Sequence, residues 1–287
     1  ATHGDNPEPF CVKQKICLAV GLSWLAKANG RQLACQGHDR VPKTCKGKYR
    51  ARETGQKLAA NRIGIFMTRV LTADRKEPIS GTTRSIVVFL HGYGANGADL
   101  LGLADPLAEH LPDTLFVAPD APETIPGMPN AYQWFPIPYI DGSSEEESMR
   151  GMAAAVDDLN AFLDALMVDE DVLPEQVVLF GFSQGTMMAL HVAPRREDPV
   201  AGVVAFSGRL LSPETLTDEV VVRLPILLVH GDADDVVPPQ SLQEAAQALQ
   251  DAGFEDVYAH VMKGTGHGIA PDGLSVALAF MRDKLSL

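Results

Sequence analysis

From residue 84 onward the chain alternates between two hydrophobic patterns. Short, nearly continuous apolar runs occur at 85–90, 114–118, 177–180, 200–206, 225–230 and 257–262. Their length and β-branched content predict buried strands. Between them lie segments whose apolar positions recur every three or four residues, as on one face of a helix. The longest covers 145–168 and places Met152, Val156, Leu159, Phe162, Leu163 and Leu166 on one stripe. Further helices are predicted over 100–110, 186–193, 239–252 and 272–285. Strands alternating with amphipathic helices make a mostly parallel central sheet with helices on both faces, an α/β architecture. Residues 123–148 break the pattern. They are rich in Pro, Gly and Ser and hold Tyr132, Trp134, Phe135, Tyr139 and Ile140 without periodicity. A loop of this length in a compact domain usually covers a site. Trp134 and Phe135 then either wall a substrate pocket or pack the loop onto the body.

In an open sheet of this kind, functional groups gather beyond the carboxyl ends of the strands. Four polar clusters stand there. After the strand at 177–180 comes Gly181-Phe182-Ser183-Gln184-Gly185, followed by a helix. G-x-S-x-G alone is a weak motif, but between a strand and a helix it describes a nucleophile elbow, with the serine on a strained tight turn. A serine hydroxyl needs a base to take its proton and a carboxylate to orient that base. His267, in the glycine-flanked turn after the last strand, is placed after the acid in the chain and is the expected base. His91, His191, His230 and His260 end strands or lie within elements, where structural roles suit them better. The acid lies among Asp232, Asp234 and Asp235 after the strand at 225–230, and the pattern does not choose between them. The order serine, acid, histidine is that of α/β-hydrolases. Backbone N–H groups of Tyr93, in the turn His91-Gly92-Tyr93-Gly94, and of Gln184, after the serine, are the expected oxyanion donors. That turn lacks the Lys-Ser/Thr ending of a phosphate-binding loop and the spacing of a dinucleotide fingerprint. No cofactor and no metal is expected.

Charge and cysteine divide the chain at about residue 66. Residues 1–66 carry twelve Lys/Arg and four Asp/Glu, whereas 67–287 carry twelve and thirty-three. So acidic a body disfavours nucleic acid as its partner. All four cysteines, Cys11, Cys17, Cys35 and Cys45, lie in the basic part. Their spacing matches no close-paired zinc pattern, and two disulfides among them would have three pairings. One short helix, over 16–28, is the most this part predicts. It reads as an appendage, or as residues upstream of a natural start at Met67. The body is expected to be the catalytic domain, over 67–287. A body without cysteine fits a reducing compartment. The apolar run 16–26 behind Lys13 and Lys15 is short for a secretory signal, and no run is long enough to span a membrane. A cytoplasmic protein is therefore expected, with no stable membrane insertion. A small ester is its expected partner, and a homodimer is left open.

Taken together, Leu90-His91-Gly92-Tyr93-Gly94, the Ser183 pentapeptide, Phe206-Ser207-Gly208, the run His230 to Pro238 and Gly266-His267-Gly268 resemble the phospholipase/carboxylesterase family. The resemblance covers roughly residues 82–286. It implies a compact α/β-hydrolase fold without a large cap domain. The family's nucleophile falls on Ser183, its base on His267 and its oxyanion donors on Tyr93 and Gln184. Its acid falls on Asp234, a choice the residues alone left open. Short-chain carboxylic esters are the implied substrate, cleaved through an acyl-serine intermediate. Lysophospholipids or acyl-protein thioesters are the alternative for the same triad. Thr186 stands where many members have a second glycine, and Tyr93 where some have leucine. Nothing in 1–66 corresponds to the family.

Overall fold

A computed structural model describes residues 68–287. The helix expected over 16–28, the four cysteines and the division at residue 66 lie outside the described residues. In chain order the strands are β1 (Ala73–Lys76), β2 (Ser85–Leu90), β3 (Thr114–Pro119), β4 (Glu123–Thr124), β5 (Tyr132–Gln133), β6 (Val177–Phe182), β7 (Gly202–Phe206), β8 (Ile226–Gly231) and β9 (Val257–Met262). The helices are α1 (Gly97–Leu101), α2 (Ala104–Ala108), α3 (Pro138–Asp141), α4 (Glu145–Glu170), α5 (Gln184–Val192), α6 (Pro213–Glu219), α7 (Gln240–Asp251) and α8 (Pro271–Lys284).

Seven strands form one sheet in the order β1-β3-β2-β6-β7-β8-β9. Every pairing in it is parallel except the edge pair of β1 with β3. β1 has the sequence Ala-Asp-Arg-Lys and is half exposed. Such a strand has no apolar signal to read; backbone pairing holds it, with Arg75 paired to Glu170 and Lys76 to Asp105. The chain runs from β2 outward to β3, then crosses back over β2 to β6 and continues the other way. The switch point is therefore the crevice between the carboxyl ends of β2 and β6, where a doubly wound sheet binds its ligand.

Alternation along the strands fills two cores. Ile86, Val88, Leu90, Val177 and Leu179 face one side of the sheet, with α4, α5 and α7. Val87, Phe89, Val178 and Phe180 face the other, with α1, α2 and α8. On that second side Phe89, Phe116, Phe180 and Phe206 form a continuous aromatic row, with ring centroids 5.0–5.8 Å apart. Each fully buried Phe contributes roughly 1.5–3 kcal/mol of transfer free energy.

Two helices show how local chemistry sets the ends. α4 begins where it was expected because Ser144 and Glu147 form a capping box. Three glutamates in its first turn complement the helix dipole. The helix expected over 100–110 is instead two short ones, broken at Gly102 and Leu103. Pro106 explains the break: in a continuous helix its ring would collide with the carbonyl of Gly102, and it has no N–H to donate. The remaining expected elements are present with ends shifted by a few residues. β4, β5, α3 and α6 were not expected. The result is an α/β-hydrolase fold with no large inserted cap.

Candidate active site

The elbow is built from close packing. Ser183 joins β6 to α5 with φ 52° and ψ −114°, in a region that side chains avoid. Its N–H donates to Phe206 O at 2.9 Å, which fixes the strained turn to β7. Both flanking glycines are required. A Cβ at Gly181 would lie 2.5 Å from the Cα of Thr186, and one at Gly185 would overlap the carbonyl of Leu90. Thr186 donates its hydroxyl to the same Phe206 carbonyl at 2.7 Å. Its methyl fills the space that a side chain at Gly208 would need. The departure from glycine at 186 is thus absorbed by a glycine at 208. Ser85 is also buried, but it opens β2 at the far end of the sheet and is spent on Thr114, 2.8 Å away.

His267 stands in the turn after β9, its ring 4.9 Å from that of Phe182. Its Nδ1 is 2.8 Å from Asp234 Oδ2, so Nε2 is the ring nitrogen left for the serine. Asp234 is buried, and its other oxygen accepts from Val236 N–H at 3.0 Å and Val237 N–H at 2.9 Å. Burial alone would raise its carboxyl. The hydrogen bonds from His267, Val237 and Val236 outweigh burial and hold it below the ordinary carboxylate value. The other two aspartates are distinguished by position. Asp235 is exposed. Asp232 accepts from Gly264 N–H at 2.6 Å and so ties β8 to the turn that carries His267.

His230 makes a contact the sequence did not suggest. Its Nε2 lies 3.0 Å from Val237 O and 3.2 Å from Asp234 Oδ2. The carbonyl can only accept, so Nε2 carries the proton, and Asp234 Oδ2 is shared by two histidines. The signal was present as His230 four residues before Asp234, but only the turn between them brings the ring back. His91 is fully buried and bonded within its own region, and burial lowers its pKa. His260 pairs with Asp272. His191 lies on α5, with its Nδ1 buried and unbonded.

The turn after β2 abuts the elbow: a Cβ at Gly92 would lie 3.2 Å from the Cβ of Ser183. The turn that carries Tyr93 is thereby packed against the residue that precedes Gln184. Gln184 opens α5, so its N–H has no intrahelical partner. The Tyr93 phenol is raised by burial and by the charge of Asp141 on α3.

The loop corrects one expectation. Trp134 has no exposed surface and Phe135 only 6 %, so neither ring is an open pocket wall. Both pack with the core on the α4 side, because the loop is drawn inward by hydrogen bonds. Trp134 N–H donates to Gln184 Oε1 at 2.9 Å, and Gln184 Nε2 donates to Phe135 O at 2.7 Å. The apolar side chains the loop does expose are Tyr139 (77 %) and Ile140 (51 %). A cavity of about 290 Å³ opens on the other flank, lined by Arg209, Leu210, Leu211, Pro213, Ser241 and Glu244. It begins one residue beyond Gly208, where a Cβ would lie 2.8 Å from Ser183 O. Among the described residues no group of three or more His, Cys, Asp or Glu is placed to hold a metal ion. No described helix is long and apolar enough to cross a membrane.

Fold and site together define a serine hydrolase of the α/β-hydrolase class. A family-wide sequence pattern described as Phospholipase/Carboxylesterase matches residues 77–285, and the chain belongs to that family. Acyl-protein thioesterase 1 of Saccharomyces cerevisiae is 32 % identical over 214 residues, spanning 71 % of this chain and 94 % of the relative. The crystal structure of esterase PE8 is similar with a TM-score of 0.71 and 40 % identity, covering 76 % of this chain and all of that one. The crystal structure of Zea mays acyl-protein thioesterase 2 gives 0.61 and 26 %, covering 75 % and 99 %.

Proposed function

We propose that this chain hydrolyses acyl thioesters and lysophospholipid-type esters, as an acyl-protein thioesterase does, with Ser183 as nucleophile. His267 takes the serine proton through Nε2 while Asp234 orients the ring and stabilises its charged form. Tyr93 and Gln184 N–H groups receive the oxyanion, whose charge exists only in the reaction, so they favour the transition state over the substrate. The thiol or alcohol leaves with the proton from His267. Water activated by the same histidine then cleaves the acyl-Ser183 ester. The observation that carries the reading is the strained elbow serine beside a 2.8 Å Asp234–His267 pair. The named thioesterase relatives support the choice of acyl group. So does the cavity beside Gly208, whose size is at the lower end of small-molecule sites.

Short-chain carboxylic esters are the second reading. The 40 % identity to esterase PE8 favours it, as does the inward packing of Trp134 and Phe135. The test is kcat/KM for p-nitrophenyl esters of increasing chain length, alongside an S-acylated cysteine peptide. A maximum beyond twelve carbons, with peptide deacylation, supports the first reading. A maximum at two to six carbons with an inert peptide overturns it in favour of the second.

A further inference from the structure

A trans peptide unit is planar, so its C=O and N–H point to opposite sides. Tyr93 N–H shares a peptide unit with Gly92 C=O, so whatever holds that carbonyl aims that N–H. Two groups hold it: His91, whose Nδ1 is 2.8 Å from Gly92 O, and more loosely Ala95 N–H at 3.3 Å. The His91 Nε2 accepts from Ala121 N–H at 2.9 Å, which places the ring proton on Nδ1. The backbone carbonyl of His91 accepts in turn from the indole Nε1–H of Trp134, at 3.0 Å. Trp134 also donates its own N–H to the side chain of Gln184, at 2.9 Å. Gln184 closes the ring of contacts by donating to Phe135 O. His91, Trp134 and Gln184 are each at most 1 % exposed, so water does not compete for these bonds.

From this we infer that Trp134 is a positioning residue for the oxyanion hole: it ties the turn that carries Tyr93 N–H to the residue that carries Gln184 N–H. Its indole holds the first and its backbone holds the second, and the spacing between the two donors follows. A donor displaced by a fraction of an ångström still binds a neutral ester oxygen but loses most where charge develops. This role rests on the proposed acyl-serine chemistry and replaces the open-wall role expected for the ring.

Trp134→Phe tests it, because the variant keeps an aromatic ring and the backbone N–H and removes the indole donor together with part of the buried ring volume. The expected result is a fall in kcat of about tenfold, less than the 10²–10³ that outright loss of an oxyanion donor costs. KM and the pH profile stay unchanged. The affinity of a trifluoromethyl ketone, which mimics the tetrahedral state, falls in parallel with kcat/KM. Gln184→Leu, which breaks the tie from the other side and keeps its own N–H, gives the same signature. It serves as the second arm if Trp134→Phe does not fold. A kcat within twofold of wild type in the folded variant overturns the inference. So does a raised KM at unchanged kcat, the signature of a pocket wall. Fluorophosphonate labelling separates this failure from that of the parent reading. If wild type is labelled at Ser183, a null result in Trp134→Phe counts against positioning alone. If wild type is not labelled, the acyl-serine reading itself fails.

Discussion

The elbow at residues 181–185 and the loop at 120–144 border the same serine and are built on opposite principles. The elbow is held by close backbone packing, against the first turn of its own helix and against the ends of β2 and β7. Gly181 and Gly185 leave room for backbone and carbonyl, and Ser183 takes φ 52° under a hydrogen bond to the next strand. The loop has two-residue strands and a four-residue helix, tied locally by turn hydrogen bonds such as Ile125 N–H to Ala131 O and Ile137 N–H to Asp141. Its order also comes from contacts 43 to 50 residues away, to His91 and Gln184. One face of it is sealed at Trp134 while Tyr139 and Ile140 stand in solvent. Reactive geometry is thus stored in a short strained turn. The neighbouring loop is anchored instead by side-chain hydrogen bonds to residues distant in the chain.

The largest effect that would break this contrast is at the elbow. Ser183→Ala should lower kcat by at least 10³-fold while leaving the far-ultraviolet circular dichroism unchanged. Ser183→Gly should be equally inactive yet more stable by about 1–3 kcal/mol, since glycine adopts the backbone conformation without strain. Urea unfolding measures the difference. Equal stability in the two variants would mean that the turn stores no strain.

An intermediate effect is expected further along α5. Burial, helped by the charge of Arg195, lowers the pKa of His191 from 6.5 to about 4. The unfolded chain therefore takes up a proton near pH 6.5 that the folded one refuses until about pH 4. Stability falls as pH drops through that window and is insensitive to this group above it. Asp234 acts in the same direction but lower in pH. Its lowered carboxyl contributes stability above the ordinary carboxylate value, and that is lost only as pH falls through its folded value. Loss between pH 6.5 and 5 thus reports on His191 together with His91, which burial also lowers, and His191→Gln should shrink the stability difference between pH 7.5 and 5 by the His191 share. An unchanged difference would show that the ring titrates normally.

The smallest effect belongs to the loop. Tyr139→Ser and Ile140→Ser should each change stability by no more than about 0.5 kcal/mol, because both side chains are exposed. If this face guides the acyl chain, KM for long-chain substrates rises and that for short-chain ones does not. A loss of kcat for both would instead make the loop part of the reactive geometry and erase the contrast with the elbow.

Much of the fold was legible in the pattern of apolar residues. β2 and β9 span the residues expected, and the start of α4 was readable because its cap is written in adjacent residues. β1 was not legible, since Ala-Asp-Arg-Lys has no buried face and is held by backbone pairing and by ion pairs to residues distant in the chain. The break at Gly102 was available in Pro106 but outweighed by apolar periodicity. At the site, the types and order of the reacting groups were readable. Their mutual distances were not, because each follows a different strand.

By itself the sequence determined which residues can do chemistry and that they cluster at strand ends. Hydrophobic period and glycine placement are local properties, and an elbow between a strand and a helix is a local structure. The residue pattern left open which aspartate meets His267; the family resemblance implied Asp234, and the tertiary structure shows the contact and its cause. Asp234 is turned inward by Val236 and Val237 N–H groups, while Asp235 is left in solvent. The tertiary structure alone placed His230 on the same carboxylate and drew Trp134 from a presumed pocket wall into the core. The physical reason is common to these cases. A polar or aromatic side chain in a loop takes the position where its hydrogen bonds are satisfied out of water, and the partners that satisfy them lie far away in the chain.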